Sequence, residues 1–248
     1  MEYALLAVWC FLVALAGGLV GLVLGNIRLP AVLLLASSPG AGTGANIGIS
    51  AVAAASASVA HLRAGRVNWR LFAWMAPPSI AGAVLGGYIS GVLPEDILLF
   101  SIAAVLFYSA LELLRKPHPA PRRDGESVLD IPAAVASGAV IGLLGGIVGL
   151  ILGSLRVPAL VRLVGEAPGR AVGTNVTIGF CVGVAAVIGH LPSDPPDWGV
   201  LAVGAAASIP GALLGSRLTG RLSDAALMRA IGVILVVAGT SMVIKALA

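Results

Sequence analysis

Gly25-Asn26-Ile27-Arg28-Leu29-Pro30-Ala31 returns later in the chain as Gly153-Ser154-Leu155-Arg156-Val157-Pro158-Ala159. Each copy sets an arginine two residues before a proline inside otherwise apolar sequence. Outward from these segments the match continues: Asn46 pairs with Asn175, His61 with His190, and Gly82, Gly86 and Gly91 with Gly211, Gly215 and Gly220. The offset stays at 128 from Pro30 to Pro158 and at 129 from Asn46 to Asn175. Residues so widely separated keep one offset because the chain is a tandem duplication. Short or broken hydrophobic segments at corresponding places in two halves are the sequence pointer to a transporter's substrate site.

The surroundings of these segments are membrane-like. Hydrophobic residues make up 58% of the 248 and charged residues 10%; mean hydropathy is +1.03. No water-soluble domain of this size carries such a composition. Long stretches free of Asp, Glu, Lys and Arg, from Tyr3–Ile27 to Ala230–Ile244, approach or exceed the roughly 20 residues of a spanning helix. An all-α integral membrane protein follows, embedded in the lipid bilayer of the cell membrane. The segment after Met1 has no basic leader and no cleavage pattern behind it, so it reads as the first span. The net charge of +4 fits basic cytoplasmic loops, and nucleic-acid binding has no support.

The duplication divides the chain into a first repeat at 1–114, a polar linker at 115–130 with Pro117, Pro119 and Pro121, and a second repeat at 131–248. About five membrane segments are expected in each. The first repeat reads as a helix over 3–24, a short segment over 29–36 after a break, and helices over 44–60, 71–92 and 97–114. Loop charge then sets orientation. In the first repeat the connector after the third segment is basic (Arg63, Arg66, Arg70) and the next is acidic (Glu95, Asp96). In the second repeat the signs exchange: Asp194 and Asp197 replace the basic connector, and Arg217, Arg221 and Arg229 surround the next turn. Under the positive-inside rule the two repeats therefore have inverted topology, which requires an odd number of crossings in each. The short segments should traverse as broken helices, with both termini outside and the linker cytoplasmic. Eight spans with two re-entrant loops is the competing arrangement.

Arg28 and Arg156 are the leading site candidates, since an arginine in lipid costs at least about 2.5–3.5 kcal/mol on insertion scales. Each stands just before a proline suited to the first turn of a helix, where unpaired N–H groups and the helix dipole also favour an anion. Snorkelling to a membrane surface is the alternative. Asn46 and Asn175 are expected at the starts of the next helices, as caps or as amide donors to an oxyanion, with Thr43, Thr174, Ser37 and Ser38 close by. Asn26 and Ser154 accompany the arginines. His61 and His190 fall at helix ends and read as interfacial residues, with proton transfer as the other role. Trp69, Trp74 and Trp198 read as interfacial anchors, and the paired glycines as close helix contacts.

What is missing narrows the chemistry. No Asp or Glu lies deep in a span, Glu112 being near an end, so a carboxylate relay or cation site is not indicated. Two separated histidines and the non-matching Cys10 and Cys181 form neither a metal-ligand cluster nor an expected redox pair, and no cofactor is implied. Neither a nucleophile motif nor a phosphate-binding loop occurs, so catalysis is not expected.

At these residues the chain resembles the sulfite exporter TauE/SafE family, also called the toluene sulfonate uptake permeases. The resemblance runs through the Gly-rich first helix (Gly17-Gly18, Gly21, Gly25, Pro30), Val172-Gly173-Thr174, the basic connector from His61 to Arg70, and Leu93-Pro94. The glycine run before the proline is thinned here, and Asn175 stands where a serine often follows Gly-Thr. The resemblance implies transport of sulfite, sulfonates or related small sulfur-containing anions. The expected function is export of such a small anionic substrate through a site between inverted repeats, at Arg28, Arg156, Asn46 and Asn175. The alternatives are an anion channel, a carrier for another small organic anion, or a membrane redox enzyme using the cysteines.

Overall fold

The computed structural model describes residues 1–89, 95–115, 129–148, 150–191 and 195–247. Gly91, Pro94, Asp194, the core of the linker at 116–128 and the side chains of Glu112 and His190 lie outside the described set. Ten helices follow one another: α1 Glu2–Val20, α2 Gly25–Leu33, α3 Pro39–Arg63, α4 Trp69–Tyr88, α5 Glu95–Arg115, α6 Ile131–Val148, α7 Gly153–Arg162, α8 Pro168–His190, α9 Trp198–Thr219 and α10 Asp224–Leu247. The short α2 and α7 hold corresponding second places in the two halves. Segments in α1, α3, α8, α9 and α10 are long and apolar enough to cross a membrane. The protein is therefore a multi-pass membrane protein. Its surface agrees: Leu5, Leu85, Ile188 and Ile244 are each at least 60% exposed, whereas among the described residues two arginines, three asparagines and a histidine are buried. Large apolar side chains outside and polar ones inside suit a hydrocarbon solvent.

Local signals set the helix ends. α1 stops at Gly21, whose φ of 65° is left-handed, and the Leu22 N–H reaches back 2.9 Å to the Gly17 carbonyl. Ser38 caps α3 by accepting from the Ala41 N–H at 3.1 Å, with Pro39 in the first helical position. Asp197 caps α9 by accepting from the N–H groups of Gly199 and Val200, both at 3.1 Å.

The halves interlock by exchange. The first helix of each lies along the fourth helix of the other, α1 beside α9 and α4 beside α6. A Cβ on Gly215 would stand 2.1 Å from the Leu15 carbonyl oxygen, and one on Gly86 would stand 2.2 Å from that of Leu143. Only glycine allows these backbones so close, so the expected packing role of the paired glycines holds. Corresponding helices also meet each other. α3 crosses α8 antiparallel, with Ala51 against Gly183 and Ala57 against Val176. α5 meets α10 in the same sense, Leu114 against Gly232 and Phe107 against Gly239.

Between α1 and α2 the backbone is irregular, and Leu22, Val23 and Leu24 are buried; Leu150, Ile151 and Leu152 are their buried counterparts before α7. Val23, Ile151 and Ala54 of α3 form one cluster. Non-helical backbone at membrane depth is tolerated when protein shields it. α2 and α7, of nine and ten residues, are about 14–15 Å long, half a bilayer core. α2 begins with Gly25 beside Asn46 and Ser50 and ends with Leu33 beside Gly42, so it runs back along the first part of α3.

Two expectations are corrected. α2 starts at Gly25, before Arg28, and Pro30 lies inside it; Pro158 lies inside α7 likewise. Proline suits a first turn, but here each helix has already made a turn before its proline, and Asn46 and Asn175 donate to the Gly25 and Gly153 carbonyls at 3.1 and 3.2 Å, tying the starts of α2 and α7 to α3 and α8. Asn46 and Asn175 in turn do not begin their helices. α3 and α8 open at Pro39 and Pro168, about two turns earlier, so neither asparagine is a cap.

Candidate functional site

Arg28 and Arg156 lie in the first turns of the half-helices and are 2% and 1% exposed. Neither snorkels. Arg28 donates from Nε to Asn46 Oδ1 at 3.0 Å and from Nη2 to the Asn46 carbonyl at 3.1 Å and to Ser50 Oγ. Asn46 completes a clip through its Nδ2 bond to Gly25. Arg156 donates from Nη1 to Asn175 Oδ1 at 3.2 Å, and its buried Nε has no partner among the described residues. Asn175 Nδ2 donates to the carbonyls of Gly153 at 3.2 Å and Gly21 at 2.6 Å, joining the breaks of both halves.

These cations are held by neutral dipoles. Among the described residues no salt bridge to either arginine is present. Burying a charge without a counter-ion is costly, and dipoles of amide and hydroxyl groups offset only part of it. The arrangement is electrically short of an anion, and the N–H groups that open α2 and α7 add positive potential on the same side. A small cavity of about 20 Å³ touches Arg28 and Ser50, with Val23, Ala54, Ala57 and Ala212 among its other walls. It has room for about one water molecule. An oxyanion is larger than the space it offers.

The other predicted residues divide. Asn26 turns away from the guanidinium, donating to Ser241 Oγ at 2.9 Å and the Ala238 carbonyl at 3.4 Å on α10. Ser154 is buried beside Arg156 in sequence. Thr174 is committed elsewhere, accepting from the Asn68 N–H at 2.9 Å. Thr43 is half-buried, one turn before Asn46. Ser38 caps α3, and the Ser37 N–H donates to Asp197 at 3.2 Å. His61 is in the last turn of α3 as expected but fully buried, because Arg66 and α9 cover it. Ser50 was not among the sequence candidates. Its signal was available, since it stands one helical turn after Asn46 on the same face.

The loops beside the half-helices are latched across the halves. On one face Asn68, ahead of α4, donates to Glu166 in the α7–α8 loop, and Glu166 also lies 3.7 Å from Arg170. On the opposite face Asp197, ahead of α9, accepts from Ser37 in the α2–α3 loop.

Comparison with known proteins gives these features a family. Residues 6–242 match the family described as Sulfite exporter TauE/SafE. The chain is 24% identical over 242 residues to the Probable membrane transporter protein YunE of Bacillus subtilis (strain 168), covering 88% of this chain and 87% of the relative. It is 27% identical over 244 residues to the Probable membrane transporter protein YjnA of the same organism, covering 92% and 95%. A Probable membrane transporter protein of Xylella fastidiosa (strain Temecula1 / ATCC 700964) is 29% identical over 219 residues, with 84% of each chain covered. No solved structure matches at the threshold these relatives meet. With the match spanning nearly the whole chain, and with relatives named as transporters along most of their lengths, this membrane protein belongs to the sulfite exporter TauE/SafE family.

Proposed function

We propose that the chain exports a small sulfur-containing anion, sulfite or an organosulfonate, across the cell membrane through a site between two inverted repeats, without catalysis or a cofactor. The observation that carries this reading is the pair of buried, carboxylate-free arginines, each bound to an asparagine at the mouth of a half-helix. Arg28, Arg156, Asn46 and Asn175 are the anion's partners, with Ser154 and Thr43 flanking them. A guanidinium donates and accepts nothing, which favours an oxyanion, and its planar fork suits one geometrically. The family match supports the sulfur-containing class. A cytoplasm-negative potential favours outward anion movement by about 2.3 kcal/mol per charge per 100 mV.

Inversion is supported by the antiparallel meeting of corresponding helices, α3 with α8 and α5 with α10. A two-fold axis that relates antiparallel spanning helices lies in the membrane plane. Repeats 1–114 and 131–248 then face opposite ways, with the linker cytoplasmic. The near-closed cavity favours a carrier over an open channel.

Flux in proteoliposomes offered sulfite, sulfate, thiosulfate, sulfoacetate, taurine and a carboxylate control tests the substrate class. Saturation and counterflow with one or more sulfur oxyanions are expected. Flux of the carboxylate alone, or of none, rejects the class, and non-saturating flux without counterflow identifies a channel. For topology, Ala64→Cys and Pro195→Cys in a background without Cys10 and Cys181 mark corresponding loops. Labelling from opposite sides is expected; labelling from one side rules out inversion.

A further inference from the structure

We propose that Asn68 with Glu166, and Asp197 with Ser37, are two gate clasps, each controlling access to the buried arginines from its own side of the protein. The inference rests on the transport reading above and adds to it the residues that admit the anion. The offset of 129 that relates Asn46 to Asn175 also relates Asn68 to Asp197 and Ser37 to Glu166. The two contacts are thus one contact made twice. Asn68 Oδ1 accepts from the N–H groups of Arg70 and Leu71 at 3.1 and 3.2 Å and caps α4, as Asp197 Oδ1 accepts from Gly199 and Val200 and caps α9. The second polar atom of each side chain reaches the loop behind a half-helix. Asn68 Nδ2 donates to Glu166 Oε2, and Asp197 Oδ2 accepts from the Ser37 N–H at 3.2 Å. Backbone bonds reinforce both: the Asn68 N–H donates to Thr174 Oγ1 at 2.9 Å, and the Asp197 N–H to the Ala41 carbonyl at 3.1 Å.

The clasps lie at opposite ends of α3, since Ser37 precedes its start at Pro39 and Asn68 follows its end at Arg63. Its 25 residues span about 37 Å, more than a bilayer core, so the clasps face opposite sides of the membrane. Each fastens the outer end of one half-helix. α7 carries Arg156 in its first turn and ends at Arg162, and the Glu166 N–H closes the loop behind it by donating to the Leu160 carbonyl at 2.9 Å. α2 carries Arg28 in its first turn and ends at Leu33, ahead of Ser37. The inner ends of both rods meet irregular backbone, at 22–24 and 150–152. A short helix with a break at one end and a clasp at the other is free to swing once the clasp releases. The space beside Arg28 holds about one water molecule, so an anion reaches the arginines only after such a release.

The two clasps differ in strength. Asn68 and Glu166 are 5% and 4% exposed, whereas Ser37 is exposed and Asp197 half-buried. Breaking a buried bond to a carboxylate strands both groups away from water, while an exposed bond exchanges with solvent at little cost. The Asp197 side therefore opens the more easily. The Asn68 side, beside Arg66 and Arg70, is the tighter gate.

Exchanging the two capping residues tests the clasps, because aspartate and asparagine both cap helices. Asn68→Asp keeps the cap of α4 and sets a second carboxylate against Glu166. Asp197→Asn keeps the cap of α9 and leaves the Ser37 N–H facing another donor. The reporter is Ala54→Cys, in the cavity wall, in the full-length protein with Cys10→Ser and Cys181→Ser. Membrane-impermeant sulfonatoethyl methanethiosulfonate is added to one side of oriented vesicles, everted or right-side-out. Asn68→Asp should speed labelling from the arginine-rich side about tenfold or more, the effect of losing a hydrogen bond to a charged group. From the other side its rate should stay within about twofold. Asp197→Asn should speed labelling from that other side about threefold, less because its clasp is exposed. Adding Glu166→Gln to Asn68→Asp exchanges donor and acceptor and should return the rate to within about threefold of the parent. Equal acceleration from both sides, acceleration from one and the same side by both variants, or no recovery in the double variant overturns the clasps as gates. So does labelling unchanged by Asn68→Asp. Labelling reads access without a transported anion, whereas parent vesicles that move no sulfur anion reject the transport reading itself.

Discussion

Arg28 and Arg156 occupy corresponding places on corresponding half-helices, yet their surroundings differ. Arg28 makes three hydrogen bonds, to Asn46 Oδ1, the Asn46 carbonyl and Ser50. Among the described residues Arg156 makes one, to Asn175, and its buried Nε–H finds no partner. Part of the difference traces to one pair of residues, since Ser50 in the first half is Gly179 in the second; the bond from Arg28 to the Asn46 carbonyl also has no counterpart at Asn175. Asn175 diverges too, since it also ties down the Gly21 carbonyl of the other half. The matching motifs share a framework, and single differences between them separate the two guanidiniums. The first is held in place by its partners, while the second leaves hydrogen-bonding capacity for the proposed anion.

The largest effect expected from this contrast concerns binding. Arg156→Ala should weaken sulfite binding by about 10–100-fold, matching the loss of about 1.5–3 kcal/mol for charge-assisted hydrogen bonds. Arg28→Ala should cost less affinity and more folded yield. Lysine at either place retains charge but loses the planar fork and should be intermediate. A double alanine variant that loses less than the sum of the singles marks one shared anion. Equal affinity losses at both places, read by calorimetry or a scintillation assay, would break the comparison.

Next in size is the asparagine pair, read by thermal unfolding in detergent. Asn175→Ala strips Arg156 of its one hydrogen bond and releases two buried carbonyls, whereas Asn46→Ala leaves Arg28 its bonds to Ser50 and the backbone. At about 1–3 kcal/mol for each buried polar group left unsatisfied, Asn175→Ala should be the more destabilising. An equal or reversed order would show that the link to Gly21 contributes little.

Smaller again is the exchange at the divergent position. Ser50→Gly should cost about 1.5–3 kcal/mol through the lost hydrogen bond to a charged group, less any relaxation. Gly179→Ser should give Arg156 a second partner and lower anion affinity severalfold, with some strain because a Cβ there meets Val23 at 3.0 Å. An affinity unchanged by Gly179→Ser would detach Ser50 from the difference between the halves.

The smallest effect separates the two latches by pH. Hydrogen bonds from the backbone of Val200, Ser37 and Gly199 hold the Asp197 carboxyl below its usual range. A depressed carboxyl contributes stability above its unfolded value of about 3.9, and that contribution is lost as pH falls through the folded value. Asp197→Asn should therefore flatten the acid limb of the melting curve below about pH 4 by lowering stability slightly at neutral pH, where the charged carboxyl contributes, and should converge with the parent in acid; the loss stays small because asparagine also caps helices. An acid limb identical to the parent's would remove Asp197 as its source.

Several elements are legible in the amino-acid sequence. The glycine pairs read as close contacts because a small-residue row has one main use in a membrane helix, and Gly86 and Gly215 are used that way. Arg28 with Asn46 and Arg156 with Asn175 stand out as candidates from their matching positions, and the fold brings each pair within hydrogen-bonding distance. Helix starts are less legible. A proline at a first turn is a local preference, and in both half-helices the chain turns helical at Gly25 and Gly153, five residues before the proline, where it is tied to Asn46 and Asn175 about 20 residues away. Asn26 and Thr174 look equivalent to the site residues in sequence, but helix rotation turns them toward α10 and Asn68 instead.

The sequence by itself determined the recurring motifs, the membrane environment and the family, because composition, offset and motif are properties of the chain that no packing alters. Tertiary structure alone decided that the halves interlock through α1 with α9 and α4 with α6, that His61 is buried against Arg66, and that the two guanidiniums differ in their partners. The reason is physical. A hydrogen bond depends on distance and direction to within a few tenths of an ångström, and side chains from different helices meet at that precision only after the helices have docked.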